Sequence, residues 1–184
     1  PVGERIDTCM RVADVIFGAL APAVPERALA GCNSSCTSAI FSGTDPKDPE
    51  HFYVYLETVA GGSGAQKHND GLSGVQVHMT NTSNLPIEAL EMEFPLLLVR
   101  KYGLIENSGG LGIERGFEAK YDNINYTGLG DRQKFKPWGL YGGMEGAGGE
   151  YFITRTNGTI EKLPSKCTDV LLHKGDIVTV HTPG

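Results

Sequence analysis

Residues 151–160, Tyr151-Phe152-Ile153-Thr154-Arg155-Thr156-Asn157-Gly158-Thr159-Ile160, place two β-prone runs on either side of an Asn-Gly pair. Asn-Gly tolerates the positive φ angles of a tight hairpin turn, so the stretch predicts two antiparallel strands. Two more apolar runs follow, at 168–172 and 176–181, around Lys174-Gly175-Asp176. The C-terminal half is therefore expected to be rich in β structure.

Working outward, residues 52–58 alternate, with Tyr53, Tyr55 and Glu57 on one face and Val54, Leu56 and Thr58 on the other. Residues 75–80 alternate too, and a strand there would carry Gln76, His78 and Thr80 on one face and lead into Thr80-Asn81-Thr82. Between the tyrosines and the N-terminus, Thr44-Asp45-Pro46-Lys47-Asp48-Pro49-Glu50 reads as a turn-rich loop. Pro86 suits the first turn of a short helix running to about Phe94, with Glu88 and Glu91 on one face. Residues 8–21 predict an amphipathic helix whose stripe is Val12, Val15, Ile16, Ala19 and Leu20. Asp7 or Thr8 can cap its start, and Pro22 with Pro25 ends it. The expected class is α+β: mixed, glycine-rich, with an N-terminal helix and a β-rich C-terminal half. No repeat or linker divides residues 1–184, so they are expected to form one unit.

With 184 residues the chain is long enough for a real core, and 25 glycines favour loops and strands over a helical bundle. A net charge of −6 with no basic run argues against nucleic acid and anionic membrane surfaces. No run of about 18 apolar residues is present to span a bilayer. Cys9, Cys32, Cys36 and Cys167 match no zinc or C-x-x-C spacing and are expected to be buried or free thiols. The N-x-S/T triplets at Asn33, Asn81, Asn125 and Asn157 are read as coincidence, and a cytoplasmic location is expected.

Glycines cluster from 61 to 115, as G-G-S-G-A, N-D-G-L-S-G and S-G-G-L-G-I-E-R. Repeated clusters suggest backbone folded closely around something, since only glycine permits that approach. Gly61 and Gly62 could then line a substrate cavity, or the turn could cradle an anion. G-x-x-x-x-G-K-[ST] is absent, which disfavours nucleotide binding. Glu57 and Asp70 flank this turn as a candidate acid and base, although Asp70 in Asn-Asp-Gly equally suits a simple turn. Thr80, Asn81 and Thr82 could bind a ring amide or form an Asx or ST turn. Arg115 could grip a carboxylate or phosphorylated intermediate, or sit in a salt bridge. His68 and His78 lack the clustered partners of a metal site, and Trp138 suits a core or interface. No G-x-S-x-G or H-E-x-x-H is present.

These segments, taken in order, resemble the hydantoinase B/oxoprolinase family. Besides the glycine clusters, the likeness rests on Arg11-Val12-Ala13-Asp14 with Ala19-Leu20-Ala21 and Pro25, on Asp131-Arg132, on Pro137-Trp138-Gly139-Leu140 with Gly142-Gly143, and on Thr182-Pro183-Gly184. The stretch between Arg115 and Asp131 is shorter than the family pattern. The resemblance implies the C-terminal third of a B-type subunit of an ATP-dependent cyclic amidase acting on hydantoins, 5-oxoproline or lactams. It implies ATP in a hydantoinase A-like partner subunit, a hetero-oligomer, and a divalent metal held by an earlier portion rather than by these residues. The alternatives are a ketone carboxylase subunit, or a non-catalytic piece that docks the partner. Either way the apolar stripe of the first helix needs a cover, so a larger assembly is expected.

Overall fold

The structure, a computed structural model, describes residues 5–83, 85–94, 97–105 and 109–184. Ser108, which opens the last glycine cluster, lies outside them. Among the described residues are helices α1 (Arg5–Leu20) and α2 (Ile87–Glu93). The strands are β1 (Thr37–Asp45), β2 (Asp48–Val59), β3 (Leu97–Ile105), β4 (Gly112–Ala119), β5 (Ile124–Leu129), β6 (Glu150–Thr154), β7 (Ile160–Leu163), β8 (Lys166–Leu172) and β9 (Ile177–His181). They form two antiparallel sheets, ordered β2-β1-β5-β8 and β3-β4-β9-β6-β7. The α+β expectation therefore holds.

The sheets meet across one apolar cluster. Phe41 of β1 stacks on Phe117 of β4 at 4.9 Å and on Tyr126 of β5 at 5.2 Å, and Tyr126 meets Tyr151 of β6 edge-on. All four rings are fully buried. Offset and edge contacts of this kind favour the ring quadrupoles beyond the area they remove from water.

The β6–β7 hairpin forms where Asn157-Gly158 predicts it, with Gly158 at φ +85°. Asn157 Oδ1 accepts the Thr159 N–H at 2.9 Å and holds the turn. Strand β2 alternates as expected: Tyr53 and Tyr55 are buried, while Val54 and Leu56 face out. The loop expected at 44–50 is shorter than that, because β1 and β2 continue into it and only the Asp45–Asp48 turn remains, with Lys47 N–H on Asp45 Oδ1.

Two expectations need correction. Residues 75–80 form no strand. Val75 pairs only with Gly61, and Met79 takes φ 70°, which breaks the extended run before Thr80. The apolar stripe of α1 does not face the core: Val12, Val15, Ile16 and Leu20 are half exposed or more. The helix docks instead through Asp7, Met10 and Asp14, spaced on one face and all buried. Asp14 finds side-chain partners in the loops it meets, and Asp7 is met through one of its two oxygens, which offsets part of the cost of burying them. Asp7 accordingly does not cap the helix; its Oδ1 accepts the Cys36 N–H at 2.7 Å.

Gly18 sits inside α1 with room for a methyl, 3.6 Å from the Trp138 ring. Gly18→Ala is expected to stabilise the chain by about 0.5–1 kcal/mol, because alanine loses less backbone entropy in a helix. A rise in thermal midpoint checks this, and a fall contradicts it.

Candidate functional site

The turn Gly61-Gly62-Ser63-Gly64 is built into the protein. Gly61 exchanges both backbone hydrogen bonds with Val75, Gly62 N–H donates to Pro183 O at 2.9 Å, and Ser63 N–H donates to Leu72 O at 2.9 Å. Gly64 N–H reaches Cys32 Sγ at 3.2 Å. Every N–H that could cradle an anion is thus committed internally. The "something" these glycines enclose is other backbone: a methyl on Gly62 would land on the Gly110 carbonyl and within 2.7 Å of Gly184 Cα.

On either side of this turn lies a cavity. One, of about 850 Å³, is lined by Phe17, Leu29, Leu72, Val75 and Val77, with Asp70, Asn69, Gln66, Gln76 and His78 as polar groups. The other, of about 420 Å³, is walled by Trp138, Leu140, Tyr141 and Met144. Ser63, Gly64 and Gln66 border both. The larger groove has the composition of a small-molecule site, apolar with a few polar groups that fix orientation.

Asp70 is exposed in this groove. Glu57 is elsewhere, on a smaller cavity beside Thr82 and Ser83, so the structure does not bring the two carboxylates into one cavity. Glu57 and Arg115 are instead brought together. Arg115 Nε lies 2.9 Å from Glu57 Oε1, and its Nη2 donates to Oε2 at 3.0 Å. On β4, Ile113, Arg115, Phe117 and Ala119 all turn inward, so the guanidinium enters the core and meets Glu57 from the opposite sheet. Tyr55 donates to Glu57 Oε2 at 2.6 Å. Burial, and then that carboxylate, hold the Tyr55 phenol well above its ordinary range.

Thr80 donates its hydroxyl to Val77 O at 2.7 Å, closing a local turn. With Asn81 and Thr82 it borders a cavity of about 530 Å³ next to Ile6, Leu56 and Met79. His68 is exposed and pairs with Glu26 at 3.1 Å. His78 is mostly buried, meets the Phe17 ring edge-on at 5.4 Å and lies 3.5 Å from Asp14 Oδ1. The cysteines are all free. Among the described residues no group of three His, Cys, Asp or Glu is placed to hold a metal ion.

Ser34 was not legible as part of any site, yet it lies in a buried polar cluster around Asp14. Asp14 accepts from Ser34 Oγ at 2.9 Å and from Arg132 Nη2 at 2.7 Å, and Arg11 Nη1 is 3.1 Å away. Arg11 Nη2 also donates to the Ser34 carbonyl. Ser34 and Arg132 both adopt positive φ, 41° and 62°. Non-glycine residues hold such angles only where surrounding contacts over-determine them. The one available signal was Arg11 and Asp14, three apart on the same helix.

A family model described as hydantoinase B/oxoprolinase matches residues 1–184. The chain is 35% identical over 190 residues to 5-oxoprolinase 1 of Arabidopsis thaliana, covering all of this chain and 14% of that protein. It is 31% identical over 191 residues to the B component of a D-/L-hydantoinase of Pseudomonas sp. (strain NS671), covering all of this chain and 31% of the relative. The chain thus spans less than a third of the length of these relatives. A solved nucleotide-free acetone carboxylase structure superposes with a TM-score of 0.70, 18% identity, and coverage of 90% of this chain and 27% of that one, a likeness of fold.

Proposed function

Because the chain belongs to the hydantoinase B/oxoprolinase family, we propose that it is part of an ATP-dependent cyclic amidase, the half that handles the activated ring while a hydantoinase A-like partner holds ATP. The observation that carries this reading is full-chain similarity to a 5-oxoprolinase and a hydantoinase component, joined to an apolar groove that contains a carboxylate and several carboxamides.

The chemistry needs activation, because resonance makes a lactam or hydantoin carbonyl a poor electrophile. Transfer of the γ-phosphoryl group of ATP to that oxygen, with ADP leaving, makes the ring carbon susceptible to water. In this reading the ring lies against Phe17, Leu72 and Val75, and Gln66, Asn69 and Gln76 meet its amide edges. Asp70 takes the proton of the attacking water and returns it to the ring nitrogen as the C–N bond breaks. That leaves an acyl phosphate, which a second water hydrolyses to carboxylate and phosphate. Glu57, tied to Arg115, orders the fold between the sheets. The described residues do not fit a metal centre, and no step runs through one held by this chain.

The test is ATP turnover by the complete assembly, with and without hydantoins, 5-oxoproline or lactams. Ring-dependent ADP release is expected, and none from this chain alone. Turnover that requires acetone and bicarbonate instead would replace the amidase reading with a carboxylase one. Asp70→Asn is expected to lower turnover about 100-fold or more while leaving the thermal midpoint nearly unchanged, since the side chain is exposed. Unaltered turnover in that variant would remove Asp70 from the reaction.

A further inference from the structure

Arg11 and Arg132 do more than dock the helix. They line one cavity of about 390 Å³ together with Lys134 and Ser165. We propose that this cavity binds a phosphate-type oxyanion, at a site separate from the groove that contains Asp70. The proposal stands on its own geometry, whether or not the ring-opening reading holds.

The two guanidiniums are fixed in advance. Arg132 is held by its Nη2 on Asp14 Oδ2 and its Nη1 on the Lys136 carbonyl at 3.0 Å. Arg11 is held by its Nη1 near Asp14 and its Nη2 on the Ser34 carbonyl. In each, the Nε donor is buried and has no hydrogen-bond partner among the described residues. Buried donors in native proteins are rarely left so. Arg11 Nε lies 4.0 Å from Asp131 Oδ2, beyond hydrogen-bond reach. Two neighbouring arginines, each with a buried and unpartnered Nε, share the wall of a single cavity, and an oxyanion there would give both guanidiniums a partner to turn toward.

The local charge agrees. Arg11, Arg132, Lys134 and Lys166 face three carboxylates, Asp7, Asp14 and Asp131, so the cations outnumber them by one. Asp131 also lines the cavity and would repel an anion, but Lys166 Nζ holds it at 3.0 Å. Burial, and then the nearby Arg11 charge, pull Arg132 below its ordinary range, a penalty that an anion between the two would relieve. Burial likewise pushes the adjacent Asp7 carboxyl up from its ordinary value. Donors arrive from three separate segments: α1, the 130–135 loop and the β7–β8 connection. Such spread suits a group with three or more acceptor oxygens better than a planar carboxylate.

Isothermal titration of the chain with inorganic phosphate and with methyl phosphate, at fixed ionic strength, tests this. Lys134→Gln and Ser165→Ala are the variants, because Lys134 is exposed and its loss leaves the arginine anchors intact. Saturable binding is expected, weakened about five-fold in Lys134→Gln. Binding of phosphate alone identifies a free ion, and binding of methyl phosphate as well identifies a phosphoryl group carried on an ester. No saturable heat with either probe, or equal affinity in parent and both variants, overturns the proposal.

Discussion

Gly62→Ala is expected to abolish cooperative folding, with a cost above about 4 kcal/mol. The added methyl would lie 2.0 Å from the Gly110 carbonyl oxygen and 2.7 Å from Gly184 Cα. Both neighbours are backbone, and Gly110 N–H is itself bonded to Ser63 O at 2.9 Å. Gly62 N–H is bonded to Pro183 O, and Gly62 O accepts the Asn33 N–H at 2.8 Å, so three chain segments converge on one residue. A flexible side chain could swing aside, but backbone pinned by its own hydrogen bonds must break them to move. Urea denaturation followed by circular dichroism reads the outcome, with Gly18→Ala as the contrast in which the same methyl finds open contact. A Gly62→Ala midpoint equal to that of the parent would show that the packing yields more readily than its geometry implies.

Asp14→Ala should cost about 3–5 kcal/mol, the usual penalty for removing one partner of a buried ion pair. Asp14 is buried and answers both Arg132 and Arg11, besides the Ser34 hydroxyl. Its loss strands two guanidiniums and an orphaned hydroxyl at the foot of α1. Adding Arg132→Leu to Asp14→Ala is expected to recover part of the loss, since an apolar residue of similar reach removes the uncompensated charge. A denaturant midpoint for Asp14→Ala showing less than about 1 kcal/mol of destabilisation would mean that solvent reaches the arginines freely.

Much of the β structure was legible where neighbours in sequence do the work. The β6–β7 hairpin, the β8 and β9 runs, the alternation of β2 and the short helix after Pro86 all formed close to their expected places. Strand β1 was not legible because Thr37-Ser38-Ala39-Ile40-Phe41-Ser42-Gly43 is a run of mostly small residues with no clear period, and its burial on both faces erases the alternation that would mark it. Strand β4 was hidden by Gly112, Gly116 and an inward arginine. The apparent strand at 75–80 failed for the opposite reason: its pattern was right, but among the described residues no strand pairs with it beyond the one bridge to Gly61.

The candidate site divides along the same line. Asp70 and the glycine turn stood out in the sequence as candidates, and the groove that contains both Asp70 and His78 exists only after folding. Turn type, strand alternation and helix boundaries follow from residues a few positions apart, so the chain alone determined them. Partnership across the fold does not. Glu57 and Arg115 read as two independent site candidates until the sheets met and paired them. Asp14 and Arg132, 118 residues apart, read as unrelated family markers until α1 turned its charged face inward. Only the tertiary structure decided those pairings, because a buried charge takes whichever opposite charge the packing delivers to it, and no local pattern records which one that will be.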